Sequence, residues 1–380
     1  MLSPTTTTII KMKKIAAFIL TLLLVWSCSD DTPSGPDVDD FDREALLENW
    51  ADNIIIPSFT DFSEKTEALH ASAAAFEADP TQQNLETLRE RWKTAYMGFQ
   101  HVSMFEMGQA MDLRYRDNMN LYPTDTEEIE RSIEAGSYNL TLPSFSDSQG
   151  FPALDYMLFG LADSDADLLA FYTTNANAEN YLTYLTDLTE RIDGLTTEVL
   201  DNWTSGYRDT FVSNSGNGAN SSLDMMVNDY IYYYEKNLRA GKVGIPAGVF
   251  SGSPLSTHVE GYYSKEFSKA LLHEGLTASI NFFNGTHYAS ETEGLGIDDY
   301  LDYLDTMRDG TELSETINDQ FDVARTQADA LNDNFVEQVE TDNTMMLQTY
   351  DALQQNVVYL KVDMLQALNI NVDYVDADGD

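Results

Sequence analysis

The chain has 380 residues, with 21 lysines plus arginines against 64 aspartates plus glutamates, for a formal net charge of −43. A surface this negative repels nucleic acid and anionic membrane faces, so no nucleic-acid partner is expected. Cys28 is the only cysteine, which excludes an internal disulfide and any thiolate zinc or iron–sulfur centre.

Lys11, Lys13 and Lys14 precede an apolar run of 11 residues, Ile15 to Val25. That run is too short to span a bilayer but suits the core of a signal peptide. Leu24-Val25-Trp26-Ser27-Cys28 follows and reads as a lipobox, so residues 1–27 are expected to be a lipoprotein signal peptide and Cys28 the lipidated residue. An ordinary secretory leader with an incidental cysteine is the alternative. Residues 28–40 form an acidic, Pro/Gly-containing tether. These features predict a cell-envelope protein of a gram-negative bacterium, held to the outer membrane by the lipid on Cys28 and either periplasmic or surface-exposed. Removal of residues 1–27, which hold three lysines and no acids, leaves 18 basic against 64 acidic side chains, a formal charge of −46.

Beyond the tether the hydrophobic spacing is helical. Leu85, Leu88, Trp92, Ala95, Phe99 and Val102 step by three and four, as do Leu182, Leu185, Leu188, Ile192 and Leu195. Further along, Ile317, Phe321, Ala324, Ala328, Leu331 and Phe335 repeat the pattern, followed by Tyr350, Leu353, Val357, Leu360, Met364 and Ala367. No sustained alternation of period two is present, so the expected fold is all-α: two packed helical bundles with a long irregular crossing segment. Breaks in the pattern divide the chain into a first bundle over 41–165, a second over 166–370 and an acidic tail over 371–380. The crossing segment is expected over 240–261, where Gly241, Gly244, Pro246, Gly248, Gly252, Pro254 and Gly261 accumulate.

Four places carry candidate chemistry. Extending the stripe Leu88-Trp92-Ala95-Phe99-Val102 by four residues lands on Glu106. A carboxylate on an apolar face must be paired, metal-bound or protonated; alternatively the helix ends near Gly108 and Glu106 reaches solvent or an arginine such as Arg114. Asp155 lies in Gly150-Phe151-Pro152-Ala153-Leu154-Asp155, where glycine, proline and an acid suit a helix start. The apolar Leu154, Met157, Leu158 and Phe159 could instead carry Asp155 into a bundle core, the kind of place where carboxylates from several helices build hard-metal sites. The tyrosine-rich run Tyr230 to Tyr234 leads to Glu235, one turn before Arg239, and on to Lys242. Glu260, Ser264 and Ser268 follow, the two serines one turn apart and able either to face a site or to start a helix.

Several of these segments resemble the imelysin-like family of bacterial envelope proteins. The resemblance runs from about Asn49 to Leu368. It begins with Asn49 to Pro57 and its proline, then takes in Arg91 to Tyr96, Phe105-Glu106-Met107-Gly108 and Tyr122-Pro123. It continues through Gly150 to Gly160 and the Glu235/Lys242/Pro246 and Glu260/Ser264/Ser268 runs. The resemblance implies two helical bundles with a site between them, in proteins that are often lipoproteins and often iron-regulated. The family signature is Gly-x-His-x-x-Glu; here Pro152 replaces the histidine and Asp155 the glutamate.

The expected function is that of a binding protein in iron acquisition. It would hold iron or another di- or trivalent cation, calcium included, with Glu106, Asp155, Glu235 and Glu260 as oxygen ligands. Gly150, Pro152, Tyr234, Lys242, Ser264 and Ser268 would complete the ligand site, and an outer-membrane transporter is a candidate partner. The alternative is metal-independent binding of a glycan or peptide in a tyrosine-rich cleft. A peptidase is the weaker reading. Neither His-Glu-x-x-His nor Gly-x-Ser-x-Gly occurs, and His70, His101, His258, His273 and His287 lack metalloprotease spacing.

Overall fold

The computed structural model describes residues 39–374. The signal peptide, Cys28, most of the tether and residues 375–380 of the tail lie outside the described residues. Helices dominate the described part, and its only β structure is a two-stranded hairpin in which Met307–Arg308 pairs antiparallel with Thr311–Glu312 and a single bridge between Thr286 and Glu293.

Helix α1 (Ile56–Ala78) carries Pro57 at its second position, directly after a π-helical turn where the regular hydrogen-bond ladder is already interrupted. It continues a helix begun at Arg43–Asn49, capped by the Asp42 side chain, through a π-helical turn at Trp50–Ile55. Thr81 caps α2 (Gln82–Gln100) by accepting the Asn84 N–H. The stripe read from the sequence is its core face: Leu85, Leu88, Trp92, Ala95 and Phe99 are all fully buried. Helix α3 (Gly150–Asp155) runs into a second π-helical turn, Tyr156–Gly160. Gly150 has φ +74° and its α-carbon abuts the Met119 carbonyl, where a Cβ would fall 2.2 Å from the oxygen. Only glycine fits there.

Helix α4 (Ala178–Asn202) packs along α1 and touches α3, so the first packing group contains α1, α2, α3 and α4 and reaches past residue 165. A second group comprises α5 (Ser222–Tyr232), a long π-helical stretch (Tyr233–Gly244), α6 (Ser268–Phe283), α7 (Leu313–Asp329) and α8 (Thr344–Val358). Contact between α2 and α6 joins the groups, and the chain from Phe41 onward forms one compact unit.

The crossing segment is shorter than the glycine and proline content suggests. Helical backbone persists to Ala247, and the irregular part spans 248–267, broken only by a 3-10 turn at Ser256–His258. Two of its glycines serve close packing instead of a loop. A Cβ on Gly244 would overlap the Tyr350 ring, at 2.8 Å, and one on Gly241 would come within 3.1 Å of the Tyr122 hydroxyl.

Candidate functional site

The irregular segment closes over the junction of α2, α3 and the π-helical stretch, and two buried carboxylates hold it there. Asp155, at the end of α3, accepts the backbone N–H groups of Tyr263 (2.8 Å) and Ser264 (2.9 Å). It is buried, and desolvation outweighs these donors, pushing its carboxyl up to about 7. Of the two sequence alternatives the interior position is the one found, but the partners of Asp155 are amides of the crossing loop.

Glu260 is also buried. Its carboxylate pairs with the Lys242 ammonium and accepts hydrogen bonds from Asn120 Nδ2 (2.7 Å) and the Tyr96 hydroxyl (3.1 Å). Burial lowers the Lys242 ammonium from its ordinary value against the pull of Glu260, and burial beside Glu260 raises the Tyr96 phenol well above its own. Ser268, the first residue of α6, donates to the Glu260 carbonyl (2.7 Å), and Ser264 donates to the Gly261 carbonyl (3.2 Å). The two serines therefore fasten the loop.

Two small cavities flank Tyr122, which lines both. The first, about 160 Å³, is bounded by Arg116 and Lys242, by the amides of Gln100, Asn120 and Asn237, and by His258. Among the described residues no carboxylate lines it, and Asn237 Oδ1 is buried without a hydrogen-bond partner. The second, about 220 Å³, lies between Tyr122, Pro152, Asp155, Gly261, Tyr262 and Tyr263. Pro152, Asp155 and Lys242 thus border this paired site, and Glu260, Ser264 and Ser268 buttress it.

Four other predicted residues lie elsewhere: Gly150, which packs against the Met119 backbone and lines neither cavity, and Glu106, Glu235 and Tyr234. Helix α2 stops at Gln100 and the chain turns through residues 101–104, so Glu106 does not extend the helical stripe. Its carboxylate accepts the Arg116 N–H (2.9 Å), its own N–H donates to Asp229 (2.6 Å), and Asp229 in turn accepts from the Arg116 guanidinium (2.7 Å). Arg114, the arginine proposed from sequence, pairs with Asp117 instead. Burial pushes the Glu106 carboxyl up to about 7 against the opposing pull of Arg116.

Glu235 is fully buried within a basic cluster. It pairs with Lys236 (2.8 Å) and Lys361 (2.9 Å), lies 3.7 Å from Arg239, and accepts the Tyr374 hydroxyl (2.6 Å). These partners hold its carboxyl below the ordinary value despite desolvation. Tyr234 is buried edge-on to Phe321, as a core residue.

Among the described residues, no three His, Cys, Asp or Glu side chains are grouped to hold a metal ion. Each of the four predicted carboxylates is already satisfied by protein donors or cations. As arranged, this donor set does not make a site for a bare cation. The histidines are also dispersed: His101 pairs with Glu274 (2.6 Å) and His273 with Asp329 (3.4 Å).

Sequence reasoning missed Tyr96, Asn120, Arg116 and Asp229. Tyr96 and Tyr122 did stand within motif segments, but nothing local marks the half-buried Asn120 or Asp229 as polar partners, because the residues they pair with lie more than 100 positions away.

The described residues form a mainly helical fold in which two packing groups meet at a loop-closed polar junction. The family model for imelysin, peptidase M75, matches residues 55–362, and the chain belongs to the imelysin family. Iron-regulated protein A of Synechococcus elongatus is 22% identical over 152 residues, which make up 40% of this chain. The match spans 39% of that relative's length. Among solved structures, a candidate iron-regulated protein A precursor from Parabacteroides distasonis superposes with a TM-score of 0.70 at 16% identity, covering 87% of this chain and 96% of that one. An imelysin-like protein from Psychrobacter arcticum gives 0.68 at 15% identity, with 87% and 97% covered. Both share the fold. Among the described residues, no helix is long and apolar enough to cross a membrane.

Proposed function

We propose that this protein is an envelope lipoprotein with an iron-related role, and that it binds a small hydroxylated organic anion in the paired cavities around Tyr122. The observation that carries the reading is the lining of the first cavity. Arg116, Lys242 and amide groups line it, no carboxylate does, and the buried Asn237 Oδ1 lacks a donor. In a chain of net charge −43, a cavity lined by two cations and by no acid among the described residues suits an anionic, acceptor-rich ligand, with Lys242 shared with Glu260 and Arg116 with Asp229. The orphaned amide oxygen suits a hydroxyl on the same ligand, since an unpaired buried acceptor is costly. At about 160 Å³ the cavity has the room of roughly five water molecules, at about 30 Å³ each.

Hydroxycarboxylates are hard-oxygen chelators, and hard oxygen ligands suit ferric iron. This chemistry connects the site to the iron regulation carried in the names of two similar proteins without requiring a bare-ion centre. Tyr122, Tyr262 and Tyr263 around the second cavity support a second reading, in which a sugar ring or a peptide side chain stacks there. Lipid on Cys28 would hold the protein at the outer membrane, where a transporter is the expected partner.

The test uses the soluble form starting at Ser29, titrated calorimetrically with citrate, ferric citrate, simple sugars and free ferric or calcium ion. Saturable binding of the hydroxy acid in the presence of a chelator, weakened at least tenfold in Asn237→Ala, is the expected result. Stoichiometric binding of the free ion alone, unaffected by Asn237→Ala, would overturn it. Fatty-acid labelling of the full chain, lost in Cys28→Ser, tests the anchor.

A further inference from the structure

A separate and larger cleft, about 560 Å³, opens beside the paired cavities and shares only Arg116 with them. Its lining combines two kinds of group. Met107, Met111, Met225, Tyr207, Tyr232 and Tyr374 supply apolar and aromatic surface, and Glu106, Asp112, Asp229 and Asp373 supply four carboxyls. Among the described residues, Arg116 is the only lysine or arginine in the lining. Its guanidinium is engaged by Asp229 (2.7 Å) and the Ser103 carbonyl (2.5 Å), and it lies over the Tyr232 ring.

The cleft is built, not incidental. Gly108 has φ +57°, and a Cβ there would fall 2.8 Å from both the Asn202 side chain and the Tyr207 ring, so the wall closes only with glycine. Asp373 and Tyr374 complete the lining, tied down by the Asp373 N–H donating to Asn228 (3.2 Å) and by Tyr374 packed edge-on to Tyr232. Met111 (59% exposed) and Tyr232 (37% exposed) stand at the mouth.

We infer that this cleft binds an organic cation, an ammonium or guanidinium group carried on an apolar or aromatic body. Tyrosine faces attract such cations, and thioethers adapt to irregular apolar shapes. Glu106 and Asp229 share one committed guanidinium, so ionising both carboxyls leaves one negative charge without a protein cation, beside apolar and aromatic lining. Burial holds both of these carboxyls, and Asp373, above their ordinary values, which is the state an incoming cation would relieve.

The distinction to be made is between a site and the diffuse charge of the whole molecule. Phenethylammonium, neutral phenethyl alcohol and anionic phenylacetate are titrated into the soluble form starting at Ser29 at 150 mM salt. The expected result is saturable one-to-one binding of the ammonium, at least tenfold tighter than either analogue. Glu106→Gln, which keeps an acceptor for the Arg116 N–H, is expected to weaken it at least fivefold. Met111→Lys, which places a cation at the exposed mouth, is expected to do the same from a position where folding is not at stake. Glu90→Gln, an exposed carboxylate on α2 outside the cleft, is expected to leave it unchanged. Equal binding of the neutral analogue, equal weakening by Glu90→Gln, or no effect of Met111→Lys would each overturn the inference. Citrate binding at the paired cavities is read in the same variants and is expected to be unaffected by Met111→Lys, so failure of one proposal does not decide the other.

Discussion

Asp155→Asn tests whether the Asp155 carboxylate is a buried fastener. Asp155 is 2% exposed, and its carboxyl titrates at about 7 against an ordinary value of 3.8. Because the folded value is raised, the folded state holds a proton that the unfolded chain has already released between those two values. Stability linked to Asp155 is therefore greatest below about pH 4 and declines as pH rises to about 7. At about 1.4 kcal/mol per unit, the full decline is about 4 kcal/mol, of which about 3 falls between pH 5 and the plateau near pH 7 to 8. Asparagine cannot ionise, so this portion vanishes in the variant. Asparagine also keeps one oxygen to accept from Tyr263 or Ser264 and turns its NH₂ toward the other N–H, at a loss of about 1–3 kcal/mol at every pH. Urea unfolding of both proteins at half-unit steps from pH 5 to 8 is the assay. The expected result is a variant less stable at pH 5 that gains on the parent by about 3 kcal/mol across the range. A constant gap between the two proteins would refute the argument, because it would mean that the carboxyl titrates as it does in the unfolded chain.

Glu235→Gln should lower stability by about 3–5 kcal/mol by stranding Lys236 and Lys361 at a buried partner, with ligand binding unchanged. The folded Glu235 carboxyl is depressed, so the stability it contributes is present above its ordinary value of 4.5 and is lost on acidification below it. Denaturation at pH 7 and pH 3 should show the parent and variant converging at the acid end. Gly150→Ala forces φ +74° on an L residue and a Cβ onto the Met119 carbonyl, and should cost about 2–5 kcal/mol in thermal unfolding; a cost under about 1 kcal/mol would contradict the packing described. Lys242→Met leaves Glu260 buried without its cation and should cost about 3–5 kcal/mol, and the double variant Lys242→Met/Glu260→Gln should recover at least half of that. Failure to recover would show that Lys242 acts on something other than Glu260.

The sequence alone determined the helices and their buried faces. Hydrophobic spacing is a local property, and the stripes over Leu85 to Val102, Leu185 to Leu195 and Tyr350 to Met364 are buried, whereas Leu182 and Ala367 at their ends are half-buried and Leu331 and Phe335 lie beyond α7, which stops at Asp329. It also determined the family, because short motifs survive as strings of residues. Helix ends were less legible. The apolar stripe of α2 runs on in sequence through Val102, but the backbone turns after Gln100, which takes Glu106 off the helix. Glycines at 241 and 244 read as a loop, yet they allow Tyr122 and Tyr350 to approach a helical backbone, a reason that exists only once those rings are in place.

Tertiary structure alone decided the site. The pairing of Asp155 with the amides of Tyr263 and Ser264 joins residues more than 100 apart, as does that of Glu260 with Tyr96 and Asn120. The composition of a carboxylate's surroundings decides whether it is a metal ligand, a salt-bridge partner or a fastener. Glu106, Asp155, Glu235 and Glu260 look equivalent in the sequence, and only the fold gives one of them two lysines, another one lysine, a third two peptide amides, and the fourth an arginine amide beside a second acid.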